Sequence, residues 1–246
     1  MEFEKVLEVN NLTKLYKNGR GVKSISFSIN EGDVVGLLGP NGSGKTTIMK
    51  TIMSLCRANE GFVKIFGNNV GDNPEKTLKQ VGGLIEKPAI FEYLSARDNL
   101  KMMARFYSNV DEDRIDHVLK VVRMSRYQKE KAGKFSLGMK QRLGLAMAIL
   151  SDPQLIILDE PTNGLDIEGT VEIREIIKKM AAEKGVSFLI ASHLASEIEK
   201  TCNKVAIMHE GELLSFETME DALKLNPSLE DYFLSTVKDK RGSVLI

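Results

Sequence analysis

The stretch 34-VVGLLGPNGSGKTT-47 limits the possible folds of this chain more than any other part of its sequence. Its first six residues are apolar, as in a central strand of a parallel sheet that is buried on both faces. A glycine-rich turn follows, and a helix is predicted from about Thr46 to Leu55. Strand, turn and helix in this order bring backbone amides and the positive end of a helix to one point, which is where phosphate groups bind.

The turn has the spacing G-x-x-x-x-G-K-[ST], whose glycines let backbone N–H groups approach phosphates without side-chain clashes. Lys45 supplies a positive charge for the β- and γ-phosphates, and the hydroxyl of Thr46 can ligate Mg²⁺. A plain glycine-rich surface turn is the alternative, but it would not need a buried strand before it and a helix after it. The candidate nucleotide-binding residues of the turn are Gly39, Asn41, Gly42, Ser43, Gly44, Lys45, Thr46 and Thr47.

A second buried strand is predicted at 155-LIILD-159, and two adjacent carboxylates lie at its end, Asp159 and then Glu160. Open α/β sheets bind ligands at the carboxyl ends of their strands, so Asp159 and Glu160 are predicted to lie at the ligand edge. One of these carboxylates can hold Mg²⁺, and the adjacent one can accept a proton from an attacking water. Taken alone, these carboxylates would be read as capping or ion-pairing groups; the phosphate-binding turn upstream favours nucleotide hydrolysis.

The remaining segments predict a parallel α/β core with two additions. Ile25, Phe27 and Ile29 alternate with serines as in a half-buried antiparallel strand, which with 62-FVKIFG-67 forms a small β-rich N-terminal part. Residues of about 88–150 are predicted to be an all-helical insert, whose first helix would carry Leu100, Met103 and Phe106 on its apolar face. Strand–helix alternation then resumes to about residue 216.

We therefore expect one domain over residues 1–216 and a short, partly helical tail over residues 217–246, with 238-KDKRGS-243 frayed. The 34 basic and 34 acidic residues balance, which argues against a generic nucleic-acid binder. No apolar run approaches the roughly 18 residues that span a bilayer, and no signal peptide is visible. These features predict a cytoplasmic protein, which another protein must hold if it works at a membrane.

Three further segments identify a family resemblance. The segment 135-FSLGMKQRL-143 precedes 155-LIILDEPTNGLD-166, and a histidine follows the next strand at 192-SH-193. In this order, and over about residues 7–216, the chain resembles the ATP-binding subunits of ABC transporters. The resemblance implies the P-loop NTPase core of the ABC ATPase fold, ATP hydrolysis with Mg²⁺, and an integral-membrane permease as partner.

The resemblance also implies roles for individual residues. Tyr16 would stack on the adenine, Glu160 would be the general base and His193 would sense the γ-phosphate. Two residues of the signature motif, Ser136 and Gly138, would close over ATP that is bound by a second copy. Asp166 would lie in the loop that links the two sites of this homodimer, or of a heterodimer with a related ATPase.

The residues around Ser136 agree with such a head-to-tail ATP sandwich. Ser136 is a good N-cap for the amphipathic helix that follows, and a helix N-terminus with a serine and a nearby glycine is a ready anion site. Within one protomer this anion site has no obvious phosphate to face. The alternative is that Ser136 only caps the helix.

The sequence departs from the common family pattern in two places. Leu137 and Met139 alter the usual L-S-G-G-Q signature, and Glu86 follows a predicted strand, 82-GGLI-85, where most members have glutamine. A carboxylate there is either a solvated loop charge or a group that ligates Mg²⁺ or polarises the attacking water. Both departures are similar to the ATP-binding subunits of bacitracin-resistance and lantibiotic self-protection transporters, which implies export of, or immunity to, a membrane-active peptide.

Other function classes fit the sequence less well. An exporter of another substrate, such as a drug, a lipid or another peptide, shares parts of the pattern. A non-transport ABC ATPase of translation or DNA repair usually has two such modules or a long coiled coil. A P-loop kinase or GTPase would leave the signature helix and His193 unexplained.

Overall fold

A computed structural model describes residues 5–241 of the chain. Its strands are, in chain order, β1 (Lys5–Leu15), β2 (Gly21–Asn30), β3 (Val34–Leu38), β4 (Glu60–Ile65), β5 (Asn68–Asn69), β6 (Val81–Leu84), β7 (Leu155–Asp159), β8 (Ser187–Ser192), β9 (Lys204–His209) and β10 (Glu212–Thr218). Its α-helices are α1 (Lys45–Ile52), α2 (Pro74–Thr77), α3 (Ala96–Ala104), α4 (Glu112–Val121), α5 (Leu137–Ala148), α6 (Ile167–Lys184), α7 (Ala195–Thr201), α8 (Met219–Leu223) and α9 (Leu229–Arg241).

The N-terminal part of the chain forms a four-stranded antiparallel sheet in the order β2-β1-β4-β5. Ile25, Phe27 and Ile29 are buried along β2, as their alternation with serines predicts. They belong to one apolar cluster with Ile48 and Met49 of α1. The antiparallel sheet therefore covers the helix that leaves the phosphate-binding turn.

A second sheet has six strands in the order β10-β9-β3-β8-β7-β6. All pairs in it are parallel except that of β10 with β9. Every residue of β3, β7 and β8 is buried, because helix α1 and the antiparallel sheet cover one face and helices from α3 onwards cover the other. Leu37 and Ile157 face the first side, and Leu38 and Leu158 face the second. This architecture confirms the predicted ABC ATPase fold.

The chain between β6 and β7 is helical, as predicted. Ser95, Asp111 and Ser136 cap α3, α4 and α5, each accepting a hydrogen bond from a backbone N–H three residues ahead. The prediction that the first helix of the insert carries Phe106 is wrong: α3 ends at Ala104, and Phe106 is 80% exposed. The cause is a turn in which the Phe106 amide donates to the carbonyl of Met103.

Residues beyond β10 pack on the large sheet through α8 and α9. Leu229 is fully buried, and its backbone N–H donates to the Glu199 carboxylate at 2.8 Å. The prediction of a frayed segment is wrong for residues 238–241, because α9 continues to Arg241; positions 242 and 243 lie outside the described residues. Among residues 5–241, no helix is long and apolar enough to cross a membrane.

Candidate active site

The predicted motifs meet at one edge of the six-stranded sheet. Strands β3, β7 and β8 run parallel, so Leu38, Asp159 and Ser192 end them at the same edge. The neighbouring strand β6 ends there too, with Leu84 paired to Leu158. Ligands of open α/β sheets bind outside such carboxyl ends. The phosphate-binding turn and the two carboxylates thereby border a common cleft, and His193, which follows β8, contacts Glu160 without itself lining that cleft.

Close packing explains why glycines occupy the turn after β3. Gly44 has a φ of 104°, and a Cβ on it would lie 2.3 Å from the Val22 Cγ1. A Cβ on Gly39 would lie 2.2 Å from the carbonyl oxygen of Met208. Both distances are far below van der Waals contact, so a side chain at either position would displace the turn. The backbone conformation that presents amides to phosphate thus depends on these two glycines.

Lys45 is held at the mouth of the turn by main-chain carbonyls. Its Nζ donates to the oxygen of Gly39 at 2.6 Å and to that of Pro40 at 3.2 Å, and lies 3.9 Å from Glu160. The side chain is only 6% exposed, and burial lowers the pKa of Lys45 while Glu160 and Asp159 oppose that shift. A phosphate oxygen is a stronger acceptor for an ammonium than a carbonyl. Lys45 is therefore placed to exchange these carbonyls for phosphate.

Asp159 and Thr46 form a pair of hard oxygen donors. The Thr46 hydroxyl donates to Asp159 Oδ2 at 2.8 Å. Burial raises the pKa of Asp159, and the hydrogen bonds from Thr46 and from the backbone of Glu86 partly offset this rise. Among residues 5–241, no group of three or more His, Cys, Asp or Glu side chains forms a metal site. One carboxylate and one hydroxyl fit Mg²⁺, which keeps water and substrate phosphates as its other ligands.

Glu160 is oriented by its backbone and by His193. The residue has a φ of 51°, and its amide donates to the Ala191 carbonyl at 3.0 Å. Such left-handed conformations of non-glycine residues cost about 1–3 kcal/mol and concentrate at functional sites. His193 Nδ1 lies 3.0 Å from both carboxylate oxygens of Glu160. The Ala191 carbonyl thus holds the backbone of Glu160 and His193 holds its carboxylate, while the side chain still lines the cleft.

Glu86 lies on the same cleft, but its side chain contacts a lysine that the sequence analysis did not consider. β6 ends at Leu84, and Glu86 has a φ of 61°. Its Oε1 accepts a hydrogen bond from Lys50 Nζ at 2.5 Å. The spacing in the sequence could have indicated this contact. Lys50 follows Thr46 by four residues and therefore lies on the same face of α1.

The cleft between these groups has a volume of about 640 Å³, within the range of small-molecule sites. Predicted site residues that line it are Tyr16, Asn41, Gly42, Gly44, Lys45, Thr46, Thr47, Glu86, Asp159 and Glu160. Polar residues that line it and that the sequence analysis missed are Asn18, Arg20, Lys87, Gln141 and Asn163. Their types are common on any surface, so no pattern distinguished them.

Five predicted nucleotide-binding residues lie outside the lining of this cleft, and three of them lie at the starts of helices. Ser136 Oγ accepts from the Met139 amide at 3.2 Å, and Asp166 Oδ1 accepts from the Gly169 amide at 2.8 Å. Gly138 lies against Leu165, which a Cβ would approach to 3.2 Å. The unusual Leu137 packs on Gly164 and lines the cleft. Within one protomer these residues stabilise the starts of α5 and α6.

Two predicted loop residues are buried close to the cleft without lining it. Gly39 contributes its carbonyl to Lys45. Ser43 is 2% exposed, and its hydroxyl has no hydrogen-bond partner within residues 5–241. A buried hydroxyl without a partner is uncommon in a folded protein.

Comparison with known proteins agrees with this arrangement. Residues 22–163, more than half of the chain, match the ABC transporter family. The bacitracin transport ATP-binding protein BcrA of Bacillus licheniformis is 39% identical over 230 residues, covering 94% of this chain and 75% of that protein. The lantibiotic transport ATP-binding protein SrtF of Streptococcus pyogenes is 36% identical over 228 residues, covering 93% and 96%.

Solved structures of ATP-binding cassettes have the same fold. The ATP binding subunit of an ABC transporter superposes with a TM-score of 0.85 at 28% identity, covering 95% of this chain and all of the other. The dimeric post-hydrolysis state of the cassette MJ0796, bound to ADP and Pi, has a TM-score of 0.79 at 25% identity, covering 87% and 98%. The chain therefore belongs to the ABC transporter family, as an ATP-binding subunit of the kind that hydrolyses ATP to power transport.

Proposed function

We propose that this chain powers the export of, or immunity against, a membrane-active peptide antibiotic of the bacitracin or lantibiotic type. The observation that carries the hydrolytic part is Glu160, which lines the same cleft as the phosphate-binding turn and whose carboxylate is contacted by His193. The substrate class rests on the similarity to BcrA and SrtF and on Glu86, Leu137 and Met139 at positions where most family members differ.

ATP binding is assigned to the turn after β3 and to the mouth of the cleft. Backbone amides of the turn, at residues 41–47, would surround the phosphates at the N-terminus of α1. Lys45 would move its ammonium from the two carbonyls to the β- and γ-phosphates. The partly exposed ring of Tyr16, at the mouth of the same cleft, would stack on adenine.

The Mg²⁺ ion is assigned to the oxygen donors beside the phosphates. Thr46 and Asp159 would hold it, and Glu86 is the third candidate ligand because it borders the same cleft. When bound, Mg²⁺ neutralises phosphate charge. Burial raises the pKa of Asp159, so a cation beside it also stabilises its ionised form.

Hydrolysis is assigned to Glu160. A water oxygen attacks the γ-phosphorus, the bond from that phosphorus to the β–γ bridging oxygen breaks, and ADP leaves. Glu160 accepts the proton that the water loses. His193 holds the carboxylate through Nδ1 and is the proposed γ-phosphate sensor, since its ring lies next to the base.

A second ATPase subunit, identical or related, is assigned to the surface that carries Ser136, Gly138 and Asp166. The start of α5 is an anion site whose backbone amides, beyond the one that Ser136 caps, can face a ligand. Leu137 and Ile167 next to these residues are exposed apolar side chains, which a subunit interface would bury. The dimeric MJ0796 cassettes support this pairing.

The membrane-spanning part of the transporter is assigned to a separate permease. Residues 5–241 contain no helix that could cross a bilayer, and the relatives are described as transport ATP-binding proteins. The helical segment α3–α5 and the loop after Glu86 would form the coupling surface. The subunit would thus lie on the inner face of the cell membrane.

The direct test is to isolate the complex from membranes of cells that express the chain with its native neighbours, and to identify the proteins bound to it. Its ATPase rate is then measured with bacitracin, a lantibiotic and a matched linear cationic peptide. Stimulation by an antibiotic but not by the linear peptide supports the proposal. A complex without a membrane protein, or one that no antibiotic stimulates, contradicts it.

A further inference from the structure

The ion pair between Lys50 and Glu86 has no role in the function proposed above. The atoms Nζ and Oε1 are 2.5 Å apart, with the lysine side chain 31% exposed and the glutamate side chain 61% exposed. Glu86 borders the nucleotide cleft, whereas Lys50 does not line it. The lysine therefore contacts the lining of the cleft through the Glu86 carboxylate that it holds.

Side chains on one face of α1 hydrogen-bond to Asp159, the last residue of β7, and to Glu86, just after β6. Thr46 and Lys50 are four residues apart in the helix and so lie on the same face. The Thr46 hydroxyl bonds to Asp159 at the end of β7, and Lys50 bonds to Glu86 just after β6. Because β6 and β7 are paired neighbours, the helix that begins in the phosphate-binding turn orients both groups.

Charge explains why Glu86 needs a partner there. The carboxylates of Asp159, Glu160 and Glu86 border the cleft. Arg20, Lys45 and Lys87 also line it, but Glu86 hydrogen-bonds to Lys50. A triphosphate adds several more negative charges, so an uncompensated Glu86 would repel it.

We propose that Lys50 is a positioning residue that neutralises Glu86 and holds its carboxylate on α1, so that this strand end can carry a carboxylate without weakening ATP binding. The inference rests on the proposed function and deepens it. It predicts that Lys50 supports nucleotide affinity because Glu86 is charged. Replacing Lys50 should therefore no longer lower the affinity once Glu86 has been made neutral.

The test is the affinity for trinitrophenyl-ATP, measured by fluorescence in EDTA so that neither Mg²⁺ nor turnover contributes. The variants are Lys50→Met, Glu86→Gln and the double variant. Lys50→Met should weaken binding by about 2- to 5-fold, the range for an exposed ion pair. Glu86→Gln should leave affinity unchanged or improve it, and the double variant should return to the wild-type value.

If the Lys50–Glu86 pair only holds the loop after β6 in place, the affinities of the variants should follow a different pattern. Both single variants would then weaken binding in the same direction, and the double variant would be no better than either; that result overturns the inference. If the inference is right, the loss in Lys50→Met shrinks between 0.05 and 0.5 M salt, roughly, because salt screens the exposed carboxylate. Lys50→Arg should bind as the wild type does, since it retains the charge.

A matched control is Lys79→Met, which removes an exposed lysine just before β6, at the opposite end of the strand from Glu86. Its affinity should equal that of the wild type, and melting temperatures should show that all variants fold. If the wild type binds and hydrolyses ATP but Lys50→Met binds equally well, the inference fails and the proposed function stands. A wild-type protein that binds no ATP overturns both.

Discussion

Replacing Glu160 by glutamine removes a base while preserving the shape of the site. The amide oxygen can still accept a hydrogen bond from His193 Nδ1, which lies 3.0 Å from both carboxylate oxygens. Glutamine has the same length, so the strained backbone at Glu160 and the amide bond to Ala191 need not change. The fold and the phosphate contacts of Lys45 are therefore retained, and only proton acceptance is lost.

The expected loss in kcat follows from the role of a general base. Such groups contribute about 10²- to 10⁴-fold, which corresponds to about 3–5 kcal/mol of transition-state stabilisation. Affinity for ATP should stay within about 3-fold, because no ammonium or amide that contacts phosphate is changed. ATP is then bound but not consumed, so a dimer held together by two nucleotides should accumulate.

The assay combines phosphate release, nucleotide affinity and size-exclusion chromatography with and without ATP. The control variant, Glu183→Gln, removes a carboxylate that forms an exposed pair with Lys179 at the far end of α6. It should hydrolyse ATP at the wild-type rate and form no persistent dimer. A Glu160→Gln protein with more than a tenth of wild-type kcat would refute the general-base assignment.

Three other perturbations test separate parts of the structure. Lys45→Ala should weaken ATP binding by about 10- to 150-fold, the value of one charge-assisted hydrogen bond, and near-normal turnover in a phosphate-release assay would contradict the assignment. Asp159→Asn should raise the melting temperature at pH 7, because burial raises the pKa of Asp159 above 3.8 and thereby disfavours its ionised form in the folded protein. That gain should shrink as the pH falls through the raised pKa towards 3.8, where the wild-type carboxyl is protonated, and a lower melting temperature at pH 7 counts against it. Leu229→Ala should cost about 2–5 kcal/mol of unfolding free energy in a denaturant titration, whereas the control Leu225→Ala, at a 92% exposed side chain, should change it by less than about 0.5 kcal/mol.

The parallel core was predictable because each of its strands is a buried apolar run next to a turn with a distinct chemistry. The predicted strand 155-LIILD-159 coincides with β7, and the predicted strand 34-VVGLLG-39 exceeds β3 by one residue. The end of α3 was not predictable from the same pattern. Phe106 continues the apolar spacing of Leu100 and Met103, but a local turn at Met103 removes it from the helix.

The structure of the chain after residue 216 depends on tertiary contacts, which a local sequence pattern does not reveal. The charged run 238-KDKR-241 is typical of a frayed end, yet it continues a helix that begins at the buried Leu229. The burial of Leu229 comes from its position against the large sheet, and its amide is satisfied by Glu199 of α7. Tertiary packing of this kind outweighs the propensity of the last turn.

At the site, sequence motifs predicted which residues meet but not how they are oriented. Lys45, Thr46, Asp159, Glu160 and Glu86 converge as expected, because each stands at a strand end or helix start whose place in the sheet is fixed. The Lys50–Glu86 pair and the packing of Leu137 on Gly164 depend on side-chain geometry between distant segments.

The different environments of Asp159 and Glu160 follow from a single change in backbone direction. Asp159 is the last residue of β7 and lies almost entirely buried, where Thr46 satisfies its carboxylate. Glu160 follows it with a φ of 51°, so its side chain does not continue the alternation of the strand but meets His193 at the cleft wall. Burial beside a hydroxyl suits a metal ligand, whereas an accessible carboxylate held by an imidazole suits a base. Two neighbouring acids with the same chemistry can therefore perform different tasks, because the positive φ of Glu160 turns its side chain away from the environment of Asp159.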